Sequence, residues 1–249
     1  MLFDFNFNFN SKPPKHILGE YGLVLYNKKN PIALDIGSSI GAFPLKWYSA
    51  FDKIYCIDAC FKNLELLRDN LRNNQITNCY SFHFAASNNT GKLCKIYNAK
   101  SAPYNNVIDD KNMIYKEPGN AQGISDIKKT NIRDNKQFHH VFSISFDDVM
   151  SFFNLDRVDF LKVDIESSEY NFLIDADLSI VDVLALELHF LENEQSKKLF
   201  QKISQNFDMR TSKEGIHGEY LFTNKTNKNK TLYEMKCNTR YEDMKISWH

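Results

Sequence analysis

The sequence predicts an α/β domain built on a mostly parallel sheet with helices on both faces. Two observations carry that expectation. From residue 31 onward, short apolar runs alternate with segments of helical spacing. The first run lies in "ALDIGSSIGAF" (residues 33–43), where a strand ends on an acidic residue and a glycine, and a second glycine follows four positions later. The length of 249 residues, 43% of them hydrophobic, suffices for one large domain with a real core.

In order, Ile32–Ile36 reads as a strand, Ile40–Phe51 as a helix that tolerates Pro44 in its first turn, and Lys53–Asp58 as a second strand. Asn63–Asn73 carries Leu64, Leu67 and Leu71 at helical spacing, and Asn78–Ala86 is a third strand. The rhythm breaks over about 91–145. Gly91–Tyr97 and His140–Phe146 read as strands, but the chain between them is polar and carries Pro103, Pro118, Gly119 and Gly123, as a lid, a binding loop or a disordered segment would. Alternation then resumes with helix Asp147–Phe153, strand Val158–Ile165, helix Glu169–Asp175, strand Val181–His189 and helix Asn193–Asn206. Asp208–Ser212 and Glu219–Thr223 suit a closing antiparallel pair.

The domain is expected to span 31–224 with its insertion at about 91–145, after a lead-in of 1–30 and before a polar, mobile tail of 225–249. In the lead-in, Phe3, Phe5, Phe7 and Phe9 fall on one side of an extended chain until Pro13-Pro14 stops it. Such a strand either lies against its own domain or offers an edge for homo-oligomerisation.

Lys+Arg and Asp+Glu stand at 31 each, which gives no electrostatic case for a nucleic-acid partner. Five cysteines at irregular positions make neither a disulfide framework nor a zinc pattern, so reduced thiols and a cytoplasmic location are expected. Cys56 and Cys60, four apart, read as thiols rather than metal ligands. No apolar run approaches the roughly 18 residues of a membrane span, and no signal peptide is expected.

Glycine after a strand lets the backbone turn tightly and approach a ligand, while the following helix presents free amides. A dinucleotide site would call for GxGxxG; Gly37-Ser38-Ser39-Ile40-Gly41 is GxxxG, with Asp35 two residues ahead. Pyrophosphate has no obvious cradle here, whereas an acidic residue beside the turn suits a cationic ligand such as the amino group of S-adenosylmethionine. The second strand ends at Asp58, where a carboxylate can accept from both hydroxyls of a ribose.

"ALDIGSSIGAF", "IYCIDACFKNLELLRDNLRNN", "FAASNNTGKL", "FSISFDDVM", "VDFLKVDIESSEYNFL" and "LALELHF" occur in order over about residues 31–190. Together they resemble the FkbM-type S-adenosylmethionine-dependent methyltransferases. The most specific piece is Lys162-x-Asp164-x-Glu166-x-x-Glu169, similar to the family's K-x-D-x-E-G-x-E, with Ser167 at the family glycine. The resemblance implies a class I methyltransferase (Rossmann-like) fold, a seven-stranded sheet with one antiparallel strand, and transfer mainly to hydroxyl oxygens of sugars, polyketides or related metabolites. It also implies a cofactor role for Asn63, for which a helix N-cap is the alternative. The family's acidic-proline pair is Asp58-Ala59 here.

Ligands of open α/β sheets gather beyond the carboxyl ends of the strands. The expected cofactor side comprises Asp35, Gly37, Ser38, Gly41, Asp58, Ala59, Asn63, Ala85 and Ala86. The expected catalytic side comprises Lys162, Asp164, Glu187 and His189, for which a structural charge network is the alternative. A hydroxyl acceptor must lose its proton, and His189 is a candidate base because an imidazole titrates near working pH. Asp164 and Glu187 could instead hold magnesium, but no spacing demands a metal, and the metal-free route is favoured. Asp147 and Asp148 read as helix-starting residues, His139-His140 as exposed, and His217 as a turn histidine. The alternatives to a small-molecule or glycan O-methyltransferase are a nucleic-acid or protein methyltransferase on the same fold, and a non-catalytic binding module.

Overall fold

The computed structural model describes residues 23–26, 29–98, 106–109, 138–166, 168–189, 194–213, 217–227 and 229–235. Its main sheet has seven strands, in the order β11 (Phe207–Lys213), β12 (His217–Asn224), β10 (Val183–His189), β9 (Phe160–Val163), β2 (Ile32–Ile36), β3 (Lys53–Asp58) and β4 (Cys79–His83). Neighbours from β10 to β4 pair in parallel, and β12 runs antiparallel to both β10 and β11. The expected seven-stranded, mostly parallel sheet with one antiparallel strand is therefore present.

Central parallel strands are covered on both faces, which is why β2, β9 and β10 are almost continuously apolar. Alternation sorts their residues into two cores. Leu34, Ile36, Leu161, Val163, Leu184 and Leu186 face α3 (Phe146–Phe152), α4 (Glu169–Leu173) and α5 (Glu194–Asn206). Ala33, Phe160, Val183 and Ala185 face α1 (Ala42–Trp47) and α2 (Phe61–Asn73), with Phe43 stacked on Phe160 at 5.4 Å between ring centroids.

Helix α1 is shorter than the Ile40–Phe51 expected, because a 3-10 turn takes over at Tyr48–Ala50. The strand expected over Asn78–Ala86 divides at Phe84 into β4 and β5 (Ala85–Ala86). The latter leaves the main sheet and pairs in parallel with Ser143 and Ile144. It opens a second sheet of order β5, β8 (Phe138–Ile144), β6 (Leu93–Asn98) and β7 (Asn106–Asp109). The insertion thus carries a sheet where an irregular loop was expected between two strands. Lead-in and tail also meet: β1 (Leu23–Leu25) pairs antiparallel with β13 (Tyr233–Met235), so the tail contains a strand. The Phe-rich residues 1–10 and Trp248 lie outside the described residues. Among the described residues, no helix is long and apolar enough to cross a membrane.

Candidate active site

Register brings the charged residues together. In the parallel pairing of β2 with β9, Asp35 lies beside Lys162, and on its other side Lys162 pairs with Ala185, whose small side chain leaves room for it. Lys162 Nζ stands 3.1 Å from Asp35 Oδ1, 3.1 Å from the Gly37 carbonyl oxygen and 3.8 Å from Asp164 Oδ2. Burial disfavours the ammonium, but Asp35 and Asp164 outweigh it and push its pKa up to about 12. Lys162 is therefore a charged tie inside the rim and not a free acid or base. Asp35 is fully buried, and neither of its carboxylate oxygens has a well-aligned hydrogen bond, so burial raises its pKa against the pull of Lys162. Its charge is met by lysine and is not open to a ligand as the sequence suggested.

The glycine turn follows. Gly37 has φ +80°, and a Cβ there would sit 1.7 Å from the Asp164 carbonyl oxygen. The end of β9 pressing on the turn is thus by itself enough to require glycine here. Gly41, at φ +96°, starts α1 against Leu67. Ser38 is buried, and its hydroxyl donates to the Asp35 carbonyl oxygen at 2.7 Å.

At the end of β3, Asp58 Oδ2 accepts from the Ser39 amide at 2.8 Å, and Oδ1 accepts from the Cys60 amide at 2.7 Å and the Asn63 side-chain amide at 3.4 Å. Burial still lifts its pKa to about 6, against those amides. Cys60 is the N-cap of α2, so Asn63 is not the cap; it sits inside the first turn and steadies Asp58. The Ala59 carbonyl oxygen is held by two imidazoles, His83 Nε2 at 3.0 Å and His139 Nε2 at 2.9 Å. His139 is thus engaged rather than exposed, while His140 is exposed. Ala85 and Ala86 are buried at the root of the second sheet and do not extend the main-sheet rim, since the chain has already left β4.

On the far side of Gly37, alternation places Lys162 and Asp164 on the same face as Ala185, Glu187 and His189. His189 is only 5% exposed. Its Nδ1 meets Glu169 Oε1 at 2.9 Å, and its Nε2 lies 3.4 Å from Glu166 Oε2 and 3.8 Å from Glu187 Oε1. Burial disfavours the imidazolium, but Glu169 and Glu166 outweigh it and hold the pKa well above the usual 6.5. A free base at neutral pH requires the opposite, so this arrangement does not favour the His189 role expected from the sequence. Burial and the neighbouring Asp164 push Glu187 up to about 8. One ligand atom from each of Asp164, Glu166 and His189 falls within 4.8 Å of the others.

Outside this rim, Asp148 belongs to the N-terminus of α3 as expected: its amide donates to the Ser145 hydroxyl at 3.2 Å, and its carboxylate accepts from the Ser145 and Thr90 hydroxyls. The His217 side chain lies outside the described residues, as does Ser167.

The Methyltransferase FkbM domain model matches residues 35–214, more than half of the chain. The chain belongs to the FkbM methyltransferase family. This FkbM protein has no match among curated proteins. Among solved structures it is similar to a putative RNA methyltransferase from Pyrococcus horikoshii, at 12% identity and TM-score 0.43 over 81% of this chain and 76% of that one. It is also similar to M. capricolum TrmK in complex with S-adenosyl-homocysteine, at 11% identity and TM-score 0.42 over 80% of this chain and 63% of that one. A third is the precorrin-6y C5,15-methyltransferase from Geobacter metallireducens, at 11% identity and TM-score 0.43 over 81% and 83%. Likenesses this distant do not identify the acceptor of the FkbM chain.

Proposed function

We propose that this FkbM methyltransferase uses S-adenosylmethionine to methylate a hydroxyl of a sugar, glycan or other small metabolite. The observation that carries the reading is the pairing of two unlike sites across Gly37: a carboxylate held by amides at the end of β3, and a carboxylate–histidine group at the ends of β9 and β10. Bound S-adenosylmethionine supplies a methyl group on an electrophilic sulfonium.

Asp58 fits the ribose, because Oδ2 accepts only the Ser39 amide and keeps acceptor capacity for a hydroxyl, while the Cys60 and Asn63 amides on Oδ1 fix the carboxylate in place. The Gly37–Gly41 turn and Ser38 shape the wall beside it, and Asn63 keeps Asp58 in place. Lys162 offsets Asp35 and His189 offsets Glu169, which leaves the partly exposed carboxylates of Asp164 and Glu166 as negative charge at the rim. That excess of negative charge suits a cationic cofactor. In-line displacement requires acceptor and methyl to be aligned first, and Asp164 and Glu187 are placed to orient an acceptor hydroxyl. The hydroxyl proton leaves toward the Asp164 carboxylate, because Glu187, pushed up to about 8, is largely protonated at neutral pH and orients the hydroxyl only. A reducing, cytoplasmic setting suits the buried free thiols of Cys56, Cys60 and Cys94.

The test is release of S-adenosylhomocysteine across a panel of hydroxylated acceptors, with single-stranded RNA and a protein substrate alongside. Turnover on a hydroxylated small molecule supports the reading; turnover confined to RNA or protein, or none on any acceptor, contradicts it.

A further inference from the structure

The carboxylate–histidine group has a feature that hydroxyl activation alone does not require. His189 is buried, and Glu169 Oε1 occupies Nδ1 at 2.9 Å, so the other nitrogen, Nε2, is aimed at Glu166 and Glu187. Without a metal the ring is held as an imidazolium, Nδ1–H donating to Glu169 and Nε2–H directed at Glu166. A divalent cation bound by Asp164 and Glu166 would take the place of the Nε2 proton, with Nδ1–H still held by Glu169. An imidazole whose far nitrogen is held by a carboxylate is also how histidine ligands are commonly oriented toward a metal.

We propose that Asp164, Glu166 and His189 bind a divalent metal ion of the manganese–magnesium class, with Glu169 as the residue that positions the imidazole. The three ligand atoms lie within 4.8 Å of one another, so modest side-chain rotations bring them to metal–ligand distances of about 2.0–2.2 Å. Two carboxylates and no thiolate select a hard cation, and the imidazole favours manganese over magnesium. The Asp164 and Glu166 side chains are 28% and 39% exposed, which leaves the outer coordination positions open to water or to an acceptor hydroxyl. Lys162 already neutralises Asp35 and approaches Asp164 only at 3.8 Å, so it does not fill this role. Any part played by the metal in activating the acceptor rests on the methyltransferase reading; the binding itself does not.

The test is an electron paramagnetic resonance titration of the cofactor-free wild-type protein with Mn2+ alone, followed by competition with Mg2+. One saturable site per chain with dissociation below about 1 mM is expected. Asp164→Asn and His189→Ala should each weaken it at least tenfold, and Glu169→Ala by about 10–100-fold, with partial recovery in Glu169→Gln. Because His189 is buried and its truncation can harm folding, Glu166→Gln, at a half-exposed side chain, provides a second ligand variant and should also lose at least tenfold. No saturable Mn2+ binding by the folded wild type, or binding unchanged in Asp164→Asn and Glu166→Gln, overturns the site and leaves His189 as the imidazolium of an ion-pair network. S-adenosylhomocysteine titration of the same samples separates the two claims, since its failure contradicts the methyltransferase reading while the Mn2+ result stands by itself.

Discussion

At the end of β3, Asp58 is surrounded by the Ser39 and Cys60 amides, whereas at the ends of β9 and β10 Asp164, Glu166 and Glu187 face one another across a buried histidine. The first carboxylate is held in place by neutral dipoles; the others form a region where charge is unbalanced. Fixed dipoles suit recognition of a neutral hydroxylated group, and unbalanced charge suits binding a cation and accepting a proton. Gly37 and Lys162 join the two regions, one by close backbone approach to Asp164 and the other by bridging Asp35 and Asp164.

Substitutions that separate the two regions should have separable effects. The largest is expected for Asp164→Asn, which keeps size and backbone but removes a charge from the reactive side. Turnover should fall by about 10²–10⁴-fold, while S-adenosylhomocysteine affinity measured by calorimetry stays within a few-fold of wild type. A parallel loss of cofactor affinity would mean that the two regions are not distinct. Next comes Lys162→Met, which leaves Asp35 buried without a counter-charge and should cost about 3–5 kcal/mol in urea unfolding. An unchanged midpoint would show that the lysine is no structural tie.

Asp58→Ala should weaken cofactor binding by about 1–3 kcal/mol while turnover at saturating cofactor changes less. The smallest effect is in pH. Asp58 has its pKa raised to about 6 in the fold, against about 3.9 in an unfolded chain. The folded form therefore takes up this proton more readily, and through this residue acidification from pH 6 toward 4 stabilises the cofactor-free protein. In the proposed contact ribose hydroxyls donate to the carboxylate, so affinity should move the other way and drop by about tenfold from pH 7 to pH 5. Calorimetry at the two pH values on wild type and Asp58→Asn checks both the drop and its absence in the variant.

The fold was legible because buried parallel strands and amphipathic helices leave a periodic record: "ALDI", "FLKV" and "LALELH" could hardly be placed otherwise. The pairing of Asp35 with Lys162 was not legible, because it depends on the register between strands 127 residues apart. Gly37 was recognised as special from its place after a strand, but the Asp164 carbonyl that crowds it was not legible, because it comes from a distant segment. His83 escaped notice and His139 was misplaced because neither carries a local signal; β4 of the main sheet brings the first and β8 of the second sheet the second to the Ala59 carbonyl. Glu166 and Glu169 stood out as part of a motif, but their role around His189 required the end of β10 to be in view.

The account rests on the β3 end as the place where the cofactor is recognised, and isothermal titration calorimetry with S-adenosylhomocysteine tests that most directly. Wild type and Asp164→Asn should each bind one equivalent with similar affinity, and Asp58→Ala should bind about fivefold or more weakly. Absence of binding by the folded wild type up to millimolar ligand, or equal affinity in Asp58→Ala, would contradict it.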